Sequence, residues 1–168
     1  MKTIITYSTT HGCTENVAGQ IRDFLGDEVT LFNLKSKSPQ PSLDDFERVI
    51  VGGSIHAGQI QKKVRDFCAQ NSTILAEKEL GLFICCMEEG EKAEEELKNV
   101  FPEELLAHAK ATACLGGEFN FEKMNFLEKL IVKKVAKVDS TISKLNTKAV
   151  QRFSEEMNKR YQPFFFII

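Results

Sequence analysis

Apolar runs and amphipathic segments alternate along this chain, and the alternation predicts strands separated by helices. Short runs rich in Ile, Val, Leu and Phe have the length of buried strands, and we place them at residues 2–7, 28–33, 48–52, 80–86 and 109–116. Apolar positions at three- and four-residue spacing predict helices, at residues 14–25, 60–70, 91–101, 119–137 and 147–160, with helical turns at 43–46 and 102–108. We expect Thr14 to cap the first helix and Gly26 to end it.

Strands that alternate with helices predict an α/β fold in which a parallel sheet carries helices on both faces. Ligands of such sheets bind beyond the carboxyl ends of the strands, at the point where the strand order reverses. Four polar loops follow predicted strands, at residues 8–14, 54–59, 87–90 and 116–120. We therefore expect the functional site to be built from these loops.

The composition fits one ordinary globular domain of 168 residues. A net charge of −2 gives no electrostatic footprint for nucleic acid. Five cysteines, an odd number without paired spacing, argue against a disulfide framework. Because no signal peptide or membrane-spanning apolar run is found, we expect a cytoplasmic protein. The apolar residues 164–168 are expected either to cover a groove on their own domain or to contact a partner or a membrane surface.

The loop at residues 8–14 has the character of an anion site. Ser8, Thr9, Thr10 and Thr14 supply four hydroxyls, and Gly12 permits backbone conformations that turn N–H groups inward. The loop opens into a helix, whose amino end attracts negative charge. Since the loop contains no Lys or Arg, we expect neutral donors and the helix dipole to hold the anion. Hydrogen bonds to a charged group contribute roughly 1.5–3 kcal/mol each, so several together suffice for a phosphomonoester.

Other phosphate-binding loops fail on inspection. The loop lacks the Gly-x-x-x-x-Gly-Lys-Ser/Thr of nucleoside-triphosphate sites, and its single Gly12 cannot make a dinucleotide fingerprint. A cysteine phosphatase would need an arginine six residues after Cys13, where Gly19 stands. A response regulator would need an aspartate at the end of the third strand, where Gly52 and Gly53 stand. A phosphate loop for flavin mononucleotide (FMN) remains.

Two segments carry a family resemblance. Residues 7–14, Tyr-Ser-Thr-Thr-His-Gly-Cys-Thr, resemble the phosphate loop of the flavodoxin family. Residues 51–58, Val-Gly-Gly-Ser-Ile-His-Ala-Gly, with the helix that follows, resemble the branch that includes menaquinone-dependent protoporphyrinogen IX dehydrogenases. The resemblance spans about residues 1–158. It implies a single flavodoxin-like domain, a three-layer sandwich around a five-stranded parallel sheet of order 2-1-3-4-5, a helical insertion at about residues 119–140, and bound FMN.

The resemblance also implies which residues contact the cofactor. The phosphate would be held by Ser8, Thr9, Thr10, His11, Gly12, Cys13 and Thr14. The flavin ring and its N5 edge would be flanked by Ser54, Ile55, His56, Ala57 and Gly58. The ribityl and pyrimidine side would be lined by Cys86, Met87, Glu88, Gly117, Glu118, Phe119 and Asn120. No residue is assigned a catalytic role, and none is assigned to a metal.

Several features depart from an electron-carrying flavodoxin, and they leave alternatives open. The chain has no Trp and two Tyr, so the ring would meet His56 and Phe119, or keep one face open to a substrate. Residues 121–137 combine apolar positions at helical spacing with four lysines. They are either an insertion that meets a membrane surface or a quinone, or an ordinary amphipathic helix packed on the sheet.

Three functions therefore remain from the sequence. The first is a redox protein that transfers electrons through FMN to a partner protein. The second is an FMN-dependent oxidoreductase that acts on a quinone or on protoporphyrinogen IX, with peripheral membrane contact through residues 121–137 or the C-terminal segment. The third is a binding module that keeps the fold without a flavin.

Overall fold

The computed structural model describes residues 1–26 and 28–159. In chain order, the strands are β1 (Thr3–Ser8), β2 (Val29–Asn33), β3 (Arg48–His56), β4 (Gln59–Ile60), β5 (Glu79–Cys85), β6 (Ala111–Cys114), β7 (Glu118–Phe119) and β8 (Ile142–Ser143). The helices are α1 (Cys13–Leu25), α2 (Lys62–Gln70), α3 (Ser72–Leu75), α4 (Glu91–Val100), α5 (Glu103–His108), α6 (Phe126–Val135) and α7 (Thr147–Asn158), with a 3₁₀ turn at Leu43–Asp45.

The main sheet has the order β2-β1-β3-β5-β6, and all of these strands run parallel. The short strand β4 is left out of this order because it pairs only with β3, antiparallel. The predicted order 2-1-3-4-5 is therefore confirmed. The order in which strands are added reverses at β1: β2 lies on one side of β1 and β3 on the other, so the loops after β1 and β3 flank the crevice where ligands of such sheets bind.

The third strand is longer than predicted. Strand β3 continues through the two glycines as far as His56, and residues 54–59, predicted as a polar loop, form the end of β3 and a tight hairpin with β4. Ala57 and Gly58 have φ angles of 49° and 73°, which is the backbone of a two-residue hairpin turn. Gly52 stays in the strand because the ring of Phe83 lies against it: a Cβ added there would be 2.1 Å from the ring.

The core consists of two apolar layers, one on each face of the sheet. Neighbouring residues of a strand alternate between them, as Ile4 and Ile5 show. Helices α1 and α7 cover the face that contains Ile5, and helices α2 to α5 cover the other. Cys85 and Cys86 lie in opposite layers, as the alternation predicts. The three-layer sandwich expected from the sequence is confirmed.

A buried polar cluster anchors α7 at the amino ends of the strands, away from the functional loops. Arg48 is 2% exposed, and its guanidinium donates to Glu79 Oε1 at 2.7 Å and to the carbonyl oxygen of Met157 at 2.7 Å. Lys110 also contacts Glu79 Oε1, at 3.1 Å. A buried guanidinium with this many partners is compensated for the loss of water.

Residues 117–144 form an excursion from the sheet. It begins at β7 and returns at β8, and these two strands pair antiparallel. Helix α6 begins at Asn125, whose side chain accepts from the backbone N–H of Glu128, and the Glu128 carboxylate accepts from the backbone N–H of Asn125. The alternative that this helix is an ordinary amphipathic helix packed on the sheet is wrong, because no residue of α6 is buried.

The apolar residues 164–168, expected either to cover a groove on their own domain or to contact a partner or a membrane surface, lie outside the described residues. Within the described ranges, no helix combines the length and the apolar character that crossing a membrane requires.

Candidate functional site

The loop at residues 8–14 joins β1 to α1 at the carboxyl edge of the sheet. Gly12, with a φ of 93°, forms the amino-terminal boundary of α1, two residues before the predicted cap Thr14. Thr14 is instead buried in the first turn, because a left-handed residue at Gly12 lets the helix begin immediately after it. The Gly12 N–H donates to Thr9 Oγ1 at 2.9 Å. The loop therefore folds over the amino end of a 13-residue helix.

A buried hydroxyl at this end of α1 has no partner. Ser8 is 0% exposed, and its Oγ makes no hydrogen bond to any described residue. Most buried hydroxyls in proteins are hydrogen-bonded, and at the amino end of a helix a bound anion or water is one way to supply the partner. The neighbouring Thr14 hydroxyl lies 2.5 Å from Ser54 Oγ, so the first loop and the end of β3 are joined. This arrangement fits an anion that completes the bonding of Ser8.

Two lysines from other parts of the chain reach the same loop. Lys35 Nζ donates to Thr10 Oγ1 at 3.1 Å. A Cβ added at Gly12 would lie 2.8 Å from Lys123 Nζ, so this ammonium group sits against the loop backbone. Two positive charges therefore lie beside a loop that has no Lys or Arg of its own, and the expectation that neutral donors and the helix dipole hold the anion stays a prediction.

The position of one of these lysines follows from the predicted strand order. Lys35 follows β2, which pairs in parallel with β1 and places Asn33 beside Tyr7, so its position next to the loop follows from the strand order. Lys123 reaches the loop from the excursion, and nothing in the local sequence indicates this contact.

His11 links the loop to the β3–β4 hairpin and to α6. Its Nε2 lies 3.3 Å from Glu128 Oε2, and its ring centroid is 6.4 Å from that of His56, edge to face. His56 is exposed at its surface, but the atoms packed around its ring partly desolvate it, which lowers the pKa of His56. The positive charges of His11 and Lys35 lower this pKa further. Near neutral pH, His56 is therefore an uncharged ring at the mouth of the site.

The second predicted group of residues forms the rim on the hairpin side. Ser54 and Ile55 lie in β3, and the turn that follows them is exposed. The Ser54 N–H donates to Gln61 Oε1 at 2.7 Å, while Gln61 Nε2 is buried without a partner among the described residues. Gln61 was not predicted from the sequence; it adds an unused donor next to the Ser54–Thr14 contact.

The third predicted group lies where the end of β5 meets the start of β7. Gly117 packs against the backbone of Cys86, because a Cβ added at Gly117 would lie 2.6 Å from that carbonyl oxygen. The side chain of Cys86 belongs to the core, so only its backbone can face a ligand here. Asn120 Nδ2 donates to Glu118 Oε1 at 3.3 Å, and the half-buried Phe119 lies between them in the chain.

Cys13, of the first predicted group, lies close to Glu118, of the third. A hydrogen bond from Cys85 lowers the pKa of the Cys13 thiol, while its burial and the negative charge of Glu118 oppose that shift. Glu118 therefore lies close to the start of α1. Met87 and Glu88 follow Cys86 in the loop after β5. The three predicted groups thus surround one edge of the sheet.

The comparisons with known proteins bear on this geometry. Residues 4–146 match the family described as flavodoxin domain. The chain belongs to this family. Membership supports FMN as the cofactor. The geometry fits it as well, since the unpartnered Ser8 hydroxyl and the two lysines lie at the predicted phosphate loop.

Solved flavodoxin structures resemble the fold across nearly the whole chain. A short-chain flavodoxin associated with a non-canonical PDU bacterial microcompartment is 17% identical, with a TM-score of 0.59 over 94% of this chain and 96% of its own. Flavodoxin 1 from Bacillus cereus is 17% identical, with a TM-score of 0.58 over 96% and 100%. The flavodoxin WrbA-like protein from Agrobacterium tumefaciens is 14% identical, with a TM-score of 0.54 over 93% and 97%. At these identities the likeness shows the fold alone, and no curated protein matches the sequence.

Proposed function

We propose that this protein binds FMN at residues 8–14 and transfers electrons through it. The observation that carries the proposal is the buried, unpartnered hydroxyl of Ser8 at the amino end of α1 in a member of the flavodoxin domain family. Bound FMN would supply the redox chemistry, in one- or two-electron steps.

The residues of the chain would bind and orient the cofactor. The Ser8 hydroxyl, the N–H groups at the start of α1 and the ammonium groups of Lys35 and Lys123 would hold the phosphate. The β3–β4 hairpin, including His56, would lie beside the ring, and residues 117–120 would line its other side. An uncharged His56 adds no positive charge next to the ring.

Binding of FMN and of riboflavin, which lacks the phosphate, tests this proposal. Gly12→Ala places a Cβ at a φ of 93° and 2.8 Å from Lys123 Nζ, so it should weaken FMN binding at least about tenfold while riboflavin binding changes little. Gly19→Ala is the matched control, because Gly19 lies in the same helix with nothing within 4 Å of the added Cβ. Equal losses for both ligands would show that the loop does not hold a phosphate. Failure of the wild-type protein to bind FMN would support the flavin-free binding module.

A second candidate function is favoured by α6. The apolar side chains of this helix are exposed, among them Phe126 and Val135 at 77% and Leu127 at 66%. Four lysines lie on or directly after the helix, at positions 129, 133, 134 and 137. Apolar side chains mixed with lysines are typical of a helix that lies in the surface of an anionic membrane. The contact between Glu128 and His11 places this helix beside the phosphate loop.

This surface supports an oxidoreductase that acts on a membrane quinone, in keeping with the resemblance to the protoporphyrinogen IX dehydrogenase branch. The test is turnover of protoporphyrinogen IX with menaquinone in anionic vesicles, compared with a short-chain quinone in solution. Leu127→Ser with Ile131→Ser should lower turnover with the vesicle quinone several-fold and leave the soluble quinone unaffected. Phe24→Ser is the control, since Phe24 is 41% exposed on α1. Absence of turnover with every quinone would leave the electron carrier as the function.

A further inference from the structure

Two cysteines meet at the ends of adjacent strands, away from the phosphate loop. Cys86 directly follows β5 and Cys114 ends β6, and their sulfur atoms are 2.8 Å apart. Both are free thiols. A disulfide bond is about 2.05 Å long, so closure needs a sulfur displacement of less than about 1 Å. The parallel pairing of β5 with β6 places Cys114 beside Ile84, and Cys86 follows two residues later on the same face of the sheet.

The two thiols differ in access. Cys114 is half-buried and lines a groove of about 810 Å³ that runs along β6 between α4 and α7. Cys86 is 4% exposed and belongs to the core layer on the α4 side. A reagent in the groove can therefore reach Cys114 but not Cys86.

The two thiols also differ in acidity. The hydrogen bond from Cys86 lowers the pKa of Cys114 to about 7, against an ordinary value of 9.0. The same hydrogen bond, together with burial, raises the pKa of Cys86. Cys114 therefore carries much of the negative charge near neutral pH, and the thiolate is the nucleophilic form of cysteine.

A carboxyl group lies next to the pair. A side-chain hydrogen bond to Glu96, on α4, and the negative charge of this carboxylate both contribute to the raised pKa of Cys86. Glu96 therefore keeps the proton on Cys86, so that Cys114 is the thiolate of the pair.

We propose that Cys114 and Cys86 form a dithiol–disulfide centre that exchanges with small disulfides entering the groove, with Cys114 as the attacking thiol and Cys86 as the resolving thiol. Neither sulfur belongs to the phosphate loop, and the side chain of Cys86 lies in the core while only its backbone borders the proposed flavin site, so the centre does not require a bound flavin.

The reaction with glutathione disulfide balances as follows. The Cys114 thiolate attacks one sulfur, a bond between Cys114 and glutathione forms, and one glutathione leaves as a thiolate. This departing thiolate takes the proton of Cys86, the Cys86 sulfur attacks Cys114 Sγ, and the second glutathione leaves as a thiolate that water protonates. Two protein thiols are oxidised to one disulfide and one glutathione disulfide is reduced to two glutathiones, and the proton that Cys114 gave to water on ionising balances the one that the second thiolate takes up.

The test treats the purified full-length protein with glutathione disulfide at neutral pH, followed by thiol counting and peptide mass analysis. The wild type should lose two thiols, gain a Cys86–Cys114 cross-link without retained glutathione, and regain both thiols with dithiothreitol. Cys86→Ser should accumulate one glutathione on Cys114, and Cys114→Ser should not react at either position. Cys85→Ser is the matched control: its neighbour Cys86 faces the other side of the sheet, so the cross-link should persist.

A second measurement does not depend on any variant. Alkylation of Cys114 by iodoacetamide in the wild type should be half-maximal near pH 7, whereas Cys68, a buried lone thiol whose pKa is raised to about 12, should stay unmodified. Two free thiols after treatment of the wild type, a cross-link that needs Cys85, or Cys114 alkylation that follows an ordinary thiol would each overturn the proposal.

Discussion

Replacing Ser8 with Ala should change the stability and the ligand affinity of this protein in opposite directions. The Ser8 hydroxyl is 0% exposed and has no partner among the described residues, so without ligand it bears a desolvation penalty that nothing offsets. Such a penalty is about 1–3 kcal/mol for a neutral group. Because Ser8→Ala removes the hydroxyl and little else, we expect the free energy of unfolding of the ligand-free protein to rise by about 1 kcal/mol.

FMN binding should weaken in the same variant. In the proposed complex the Ser8 hydroxyl donates to a phosphate oxygen, and a hydrogen bond to a charged group contributes about 1.5–3 kcal/mol. Its loss corresponds to roughly a 10- to 150-fold fall in FMN affinity. Riboflavin affinity should stay within about twofold, since riboflavin carries no phosphate.

The other end of β1 provides a matched control. Thr3 is also 0% exposed, and its Oγ1 is also buried without a partner, but it lies at the amino end of the strand, away from the loops. Thr3→Val keeps the shape and removes the hydroxyl, so it should stabilise the ligand-free protein and leave FMN binding unchanged.

Urea unfolding of the ligand-free proteins and fluorescence titration with FMN and with riboflavin give the free energy of unfolding and the two affinities for each protein. A Ser8→Ala protein that is less stable without ligand would show that the hydroxyl has a partner, contrary to the argument. Equal losses of FMN and riboflavin affinity, or a loss in Thr3→Val, would refute the assignment of Ser8 to the phosphate.

Three further predictions concern other parts of the molecule. Arg48→Met should lower the free energy of unfolding by about 1–3 kcal/mol, because the half-buried Glu79 carboxylate and the carbonyl oxygen of Met157 both lose a donor. Lys62→Ala, in an exposed pair, should cost under about 1 kcal/mol, and equal costs in urea unfolding would contradict this. Burial and a neighbouring carboxylate raise the pKa of Tyr7 to about 12 from 10.0, so its stabilising effect is present below pH 10.0 and is lost as the pH rises through 12. Phenolate absorbance in a Tyr161→Phe background checks this, and a midpoint near 10.0 would refute it. Glu128→Gln should keep the cap of α6 and Glu128→Ala should lose it, seen as faster hydrogen exchange in α6 for Ala alone; equal exchange would show that the cap contributes nothing.

The parts of the fold with local signals could be predicted from the sequence. The alternation of apolar runs and amphipathic segments predicted a parallel sheet with helices on both faces, and the family resemblance implied the strand order that the structure has. Gly26 marks the end of α1 because its φ of 68° suits glycine. The phosphate loop was found for the same reason: a strand, a hydroxyl-rich turn and a helix follow one another directly. Cys85 and Cys86 occupy opposite faces because adjacent residues of a strand must.

The parts built by contacts between distant residues could not be predicted. Two adjacent glycines suggested the end of the third strand, but Gly52 is a strand residue whose missing side chain makes room for Phe83, 31 positions along the chain. The spacing of apolar residues in α6 left two alternatives open, a helix packed on the sheet and an insertion that meets a membrane surface or a quinone. That spacing describes a helix with an apolar face, and it cannot say whether the protein itself covers that face.

The candidate site likewise has one end that local sequence signals predicted and one end that depends on contacts between distant residues. Its phosphate end is centred on consecutive residues, 8–14, and these are the residues that the sequence predicted, although Lys35 and Lys123 reach it from elsewhere. Its other end is assembled from the β3–β4 hairpin and the excursion, and both are tied to the phosphate loop through His11, which lies against His56 and Glu128. Because Glu128 also caps α6, one carboxylate fixes the start of the exposed apolar helix relative to the loop. A surface that engages α6 would therefore be held at the mouth of the cofactor site, which is where an electron acceptor has to be.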